Sequence, residues 1–274
     1  MSKLSMSLAA AITIAGAGEF NIEKFVKQSL IRNPGIKVNK VEVIGKKSIE
    51  QDQEWNAYMI MLDLSMGRDK KSVKVPEMIF VNEKSNLAAM TLIDLKSGRD
   101  LARSIKPEMP DSYYDDAHLI SGKSDAKHKM VVFSDPQCPF CINFVPKMLE
   151  EAKKHPDKIA VYYYHMPLLR LHPVSDTLTR VMEVLQKRGK SDDAMKMYSL
   201  KINPRLKDEK KILAEVKKQL GIDIKPEEIN KKEIREAVEA DMEKGSRMMV
   251  RGTPSVYFDG KYDGSRSLYK SVLK

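Results

Sequence analysis

The chain has 274 residues, 42% of them hydrophobic and 31% charged, an ordinary globular composition long enough for two domains with buried cores. It is basic, with 48 Lys and Arg against 38 Asp and Glu, a net charge of +10. The cations are interspersed with acidic residues along helical stretches and no DNA- or RNA-binding signature accompanies them, so nucleic acid is set aside as a partner.

Residues 1–17 read as a signal peptide: an early Lys3, a short apolar stretch, and Ala15-Gly-Ala17 as a small-x-small cleavage site. Mature protein then begins near Gly18, exported to the periplasm, where thiols meet oxidising conditions. No other segment approaches the 18 apolar residues of a membrane span.

Residues 18–105 form a first domain. Asn21 is placed to cap a helix reaching Ile31, and Asn33-Pro-Gly35 ends it. Four strands are expected: Val38–Ile44 ended by Gly45, Trp55–Leu64, Ser72–Val81 and Leu87–Leu95, with a turn at Met66-Gly-Arg-Asp69. No titratable cluster stands out among them, so this sheet-plus-helix unit reads as a dimerisation domain. A short helix at Arg99–Ile105 leads to a polar linker over 106–116.

Residues 117–274 form the second domain. His118–Ile120 reads as an edge strand, Lys129–Ser134 as a buried strand, then a turn and a helix to about His155, then the strand Ile159–Tyr164. That order predicts a right-handed parallel βαβ unit. Between 173 and 249 the apolar spacing turns helical, as in Leu178, Val181, Met182 and Leu185. Ser255–Phe258 is a strand closed by an Asp259-Gly260 turn, and Ser267–Leu273 a final helix.

The only two cysteines stand in Cys138-Pro-Phe-Cys141, at the mouth of the strand–turn–helix. A thiolate, not a thiol, attacks a disulfide, and a helix N-terminus favours the anion through its unpaired N–H groups. Cys138 is therefore the expected nucleophile, its sulfur exposed, with Cys141 one turn on as the buried resolving thiol. Pro139 suits the first helical position. Half a zinc site is the other use of C-x-x-C, but no second pair exists and His165 and His172 lack ligand spacing. Asp135 and Glu150 read as turn and helix-surface residues, leaving no buried proton acceptor. Thr253-Pro254, after a glycine and before a strand, is a candidate for the cis bond that offers backbone groups to a substrate peptide.

Together these residues resemble the thioredoxin superfamily, in particular the bacterial periplasmic Dsb proteins. The resemblance is carried by Phe133-Ser-Asp-Pro-Gln-Cys-Pro-Phe-Cys141, by Pro146 at the helix-kink position, and by Gly252-Thr-Pro-Ser-Val-Tyr-Phe-Asp-Gly260. It implies a thioredoxin-like α/β fold with a helical insertion, Cys138 attacking, Cys141 resolving, Pro139 and Phe140 shaping the site, and Pro254 as cis-proline beside Thr253. The two-domain layout is similar to the dimeric DsbC and DsbG isomerases, as is Thr before the proline. The expected activity is isomerisation or introduction of disulfides in exported cysteine-containing proteins by a homodimer. The redox pair replaces any cofactor or metal, and a membrane partner resets it. A holdase-type chaperone with secondary cysteines is the competing expectation, to which 17 Met would lend soft apolar surface.

Overall fold

The computed structural model describes residues 20–66 and 71–273. The signal-like segment 1–17 and positions 67–69 of the expected turn lie outside the described residues. The chain divides into two compact units, Met1–Leu92 and Ile93–Lys274.

In the first unit, α1 (Ile22–Phe25) is capped by Asn21, whose side chain accepts the Lys24 N–H, and runs on through a π turn at Val26–Leu30. Strands β1 (Ile36–Ile49), β2 (Asp52–Met66), β3 (Lys71–Asn82) and β4 (Leu87–Ala89) follow in antiparallel order β1-β2-β3-β4. Along β2, Tyr58, Ile60, Leu62 and Leu64 point to one face and bury Ile22 and Val26 of the helical segment. Ala57, Met59 and Met61 on the alternate positions are buried as well, so the centre of β2 is a continuous buried run rather than a half-exposed strand.

Two expectations fail here. Gly45 does not end β1; the strand passes through it at a register shift between Val43 and Gly45. A Cβ at Gly45 would lie 2.8 Å from the Met59 Cε, so the glycine marks close cross-strand packing at a bulge rather than a turn. A small titratable cluster also exists: Tyr58 donates to Glu83 at 2.6 Å and Lys46 reaches the same carboxylate at 2.9 Å. Tyr58 and Lys46, 25 and 37 positions from Glu83 in sequence, meet it there because strand register brings them together.

The second unit opens with a two-stranded ribbon, β5 (Ile93–Asp94) and β6 (Arg99–Asp100), and α2 (Leu101–Ser104). The expected strand Leu87–Leu95 is thus two pieces. Its main sheet has five strands in the order β11-β10-β8-β9-β7, built from β7 (Leu119–Ser121), β8 (His128–Ser134), β9 (Ile159–His165), β10 (Ser255–Phe258) and β11 (Lys261–Tyr262). β8 and β9 run parallel and are joined by α3 (Pro139–Lys153), the expected βαβ unit, with β7 antiparallel at the edge.

The central strands are buried on both faces. Met130, Val132, Val161 and Tyr163 face α3 and the helical insertion, while Val131, Phe133, Tyr162 and Tyr164 face Met109, Tyr113, Met248 and Val250. Near-continuous apolar runs are what such doubly covered strands require. The insertion comprises α4 (Ser175–Lys187), α5 (Ser191–Met195), α6 (Glu209–Leu220), α7 (Pro226–Ile229) and α8 (Lys232–Arg247), before a closing α9 (Tyr269–Leu273). Gly245 lets α8 press on the sheet: a Cβ there would lie 3.3 Å from the Phe133 ring. No helix among the described residues is long and apolar enough to cross a membrane.

Candidate active site

Cys138 is the N-cap of α3 and Pro139 its first residue, where the missing N–H costs nothing. The Cys138 carbonyl accepts the Ile142 N–H at 2.9 Å, which starts the helix directly under the thiol. Both cysteines are free thiols. Cys141 lies one turn on with no exposure, and Pro146 sits inside the same helix.

The second half of the site arrives from far along the chain. The Thr253-Pro254 bond is cis, and Cys138 Sγ lies 3.3 Å from the Thr253 carbonyl oxygen, to which it donates only when protonated, across 115 residues of sequence. This follows from topology: β10 pairs with β8, Ser255 opposite Phe133, so the loop before β10 and the turn after β8 meet at one end of the sheet. The Thr253 hydroxyl faces both sulfurs but is buried outside regular hydrogen-bond geometry with any partner. A buried hydroxyl without a partner is costly, and a thiolate beside it supplies the missing acceptor.

The two thiols are driven apart in acidity. A hydrogen bond from Cys141 is the largest influence on Cys138 and outweighs burial; with the Thr253 hydroxyl and the Cys141 and Phe140 N–H groups it brings the Cys138 pKa down to about 5. Burial, together with the same hydrogen bond, pushes Cys141 far above the ordinary thiol range. One thiol is thus an anion at neutral pH and the other is its proton-bearing donor.

Exposure corrects one expectation. Cys138 is only 4% exposed, whereas Phe140 between the cysteines is 68% exposed. The Thr253 loop covers the sulfur, so a substrate must approach along that loop and over Phe140.

A second correction concerns Asp135. It is fully buried, not a solvated turn residue. Its carboxylate accepts the Gln137 N–H at 2.8 Å, the Ser175 hydroxyl at 2.6 Å and the Leu168 N–H at 2.8 Å, with His172 Nδ1 2.9 Å away. Four partners from three segments tie the cysteine turn to the loop after β9 and to the start of α4. Glu150, by contrast, pairs with Lys154 at 3.2 Å on an exposed helix face, as expected. Behind Cys141, Ser134 contacts its sulfur and accepts the Tyr198 hydroxyl at 2.6 Å, and Tyr198 meets Tyr163 at 2.8 Å. Ser134, His172, Ser175 and Tyr198 were invisible as site neighbours in the sequence. The one usable signal was Asp-Pro in the turn, where a short carboxylate caps the backbone two residues on. Among the described residues, no group of three metal-ligating side chains exists.

A helix-start thiol pair facing a cis-proline loop, on a parallel βαβ sheet, defines a thiol–disulfide oxidoreductase of the thioredoxin superfamily. The thioredoxin family model matches residues 115–272, more than half of the chain, and the chain belongs to that family. Among curated proteins it is similar to probable disulfide bond formation protein D of Bacillus cereus, 29% identical over 152 residues, 51% of this chain and 68% of that one. The Bacillus anthracis protein of the same name matches at the same identity and coverage. Among solved structures, oxidised BdbD of Bacillus subtilis aligns with a TM-score of 0.49 at 19% identity, covering 62% of this chain and 94% of that one.

Proposed function

We propose that the protein is an exported dithiol oxidase that donates the Cys138–Cys141 disulfide to cysteine-containing proteins. The observation that carries this reading is the 3.3 Å contact between Cys138 Sγ and the Thr253 carbonyl, which puts the attacking sulfur beside a backbone that can bind a substrate strand.

In the oxidised pair, a substrate thiolate attacks Cys138 Sγ, the Cys138–Cys141 bond breaks, and Cys141 leaves and takes a proton. A second substrate thiolate then attacks the substrate sulfur of the mixed disulfide. The substrate disulfide forms, Cys138 departs as thiolate, and two electrons have passed to the pair. Acidity supports this direction: a thiolate stabilised by several donors stabilises the reduced enzyme, which makes its disulfide more oxidising. Starting instead from the Cys138 thiolate, attack on a substrate disulfide forms a mixed disulfide, and a different substrate thiolate then displaces Cys138, which isomerises the substrate with no net electron transfer. Thr253 and Pro254 bind substrate backbone, and Pro139, Phe140 and Pro146 shape the turn.

Periplasmic location accords with the signal-like residues 1–17, and reoxidation falls to a membrane partner. Homodimerisation through the first unit is supported by β1, a fourteen-residue strand at the sheet edge with an exposed Val43. Sedimentation of the full chain tests it, and the mass of a single copy at micromolar concentration removes it.

Equilibration with glutathione buffers tests the direction. An oxidising potential with oxidised cysteines in cells is expected; cysteines found reduced in cells would assign the protein to isomerisation. Cys138→Ser tests the chemistry itself: rescue of disulfide-scrambled clients by that variant at the wild-type rate would refute the redox reading and leave the chaperone one.

A further inference from the structure

Beside the thiols lies a cleft of about 560 Å³ within the second unit. Four cations line it, Arg103, Lys106, Arg251 and Arg266, against one carboxylate, Asp100. Thr253 and Pro254 line it too, so the cleft and Cys138 share the cis-proline loop as a common wall. Asp100 is already engaged, accepting the Ala102 N–H at 3.0 Å as the cap of α2.

Lys106 is the unusual member. It is 8% exposed, donates to the Met249 carbonyl at 2.7 Å and lies 5.8 Å over the Tyr262 ring. Burial first, and the charge of Arg251 second, draw its pKa down to about 8. Cations that discourage one another's charge in this way gain when an anion enters between them. A peptide that pairs with the backbone at Thr253 runs alongside residues 251–253, which carries the neighbours of its cysteine past Arg251.

We propose that this cleft selects polypeptide substrates whose reacting cysteine is flanked by glutamate or aspartate, taking the carboxylate among its four cations. The proposal rests on the disulfide-exchange reading above. It makes the cleft a specificity site: exchange chemistry belongs to Cys138, and the choice of client to the cations.

The test uses the oxidised full chain and three peptides, each with one cysteine flanked by Glu, Gln or Lys. The rate of mixed-disulfide formation is read for each and scaled by that peptide's rate with a small symmetric disulfide, which removes differences in peptide thiol acidity. The Glu peptide is expected to react about tenfold faster than the Lys peptide at low salt, within the range of electrostatic steering into charged clefts. The ratio should shrink as salt rises. Arg103→Glu with Arg251→Glu should invert the order, and Arg103→Glu alone should move it the same way; both side chains are exposed, so the core is untouched. Lys207→Glu with Lys210→Glu, an equal charge change outside the cleft, should preserve the order. Equal scaled rates for the three peptides, or inversion by both double variants, would overturn the cleft assignment. So would charge-reversal variants that leave the scaled rate of the Glu peptide unaffected. Absence of exchange with every peptide would overturn the exchange reading together with the cleft.

Discussion

The acidity of Cys138 yields the sharpest prediction. With a pKa of about 5, Cys138 is almost wholly thiolate at pH 7. An ordinary cysteine near pKa 8.5 is only about 3% ionised there, an advantage of roughly 30-fold. Intrinsic nucleophilicity falls with pKa, at a slope near 0.45, which over this interval costs about 40-fold and cancels the gain. A rate taken at neutral pH is therefore uninformative. At about pH 5.5 the ordinary thiol is only ~0.1% ionised while Cys138 remains mostly thiolate, so Cys138 should react about 20-fold faster. The assay is iodoacetamide alkylation of the reduced protein across this range, with thiolate absorbance as a second readout. Cys141→Ala removes the strongest hydrogen bond to the thiolate and should move the midpoint upward. A wild-type midpoint at or above about 8, in the ordinary thiol range, would refute the geometry described for the pair.

Three further outcomes are expected. Thr253→Val deletes the buried hydroxyl that faces both sulfurs; it should raise the Cys138 midpoint and make the pair less oxidising, and an unchanged glutathione equilibrium would deny that side chain a role. Asp135→Ala strands the buried donors that converge on its carboxylate and should cost about 3–5 kcal/mol in urea unfolding, as expected when one partner of a buried charged network is removed. A loss under about 1 kcal/mol would mean water or repacking satisfies them. His118 bridges Asp115 and Asp241, which lies 2.8 Å away; burial pulls its pKa down, but the hydrogen bonds and charges of Asp241 and then Asp115 outweigh this and raise it. A raised folded pKa stabilises fully below the unfolded value near 6.5 and is lost as pH rises through the folded value. The stability gap between wild type and His118→Gln should therefore narrow from mildly acidic to alkaline pH, and a gap that widens contradicts the ion pairing.

Much of this protein is local and legible in its sequence. An apolar run followed by Asp-Pro, two cysteines three apart and Pro at the first helical position specify strand, turn and helix, because each rests on near-neighbour backbone chemistry. Periodicity likewise exposed the parallel βαβ unit and the helical insertion. Failures cluster where distant segments decide. Gly45 reads as a stop by propensity but is a bulge because Met59 crosses it on the next strand. Asp135 reads as a solvated turn carboxylate, yet Leu168, His172 and Ser175, some 33 to 40 residues later, close over it.

Sequence alone determined the redox-capable pair, its place at a helix start and its membership of a two-unit chain. Tertiary structure decided that the Thr253 carbonyl sits on Cys138, that the first sulfur is covered while Phe140 is exposed, and that four cations surround a cleft on the same loop. The physical reason is range. Helix ends and turns are set within a few residues, whereas burial and charge clustering depend on strand pairing between β8 and β10, which joins segments more than a hundred residues apart.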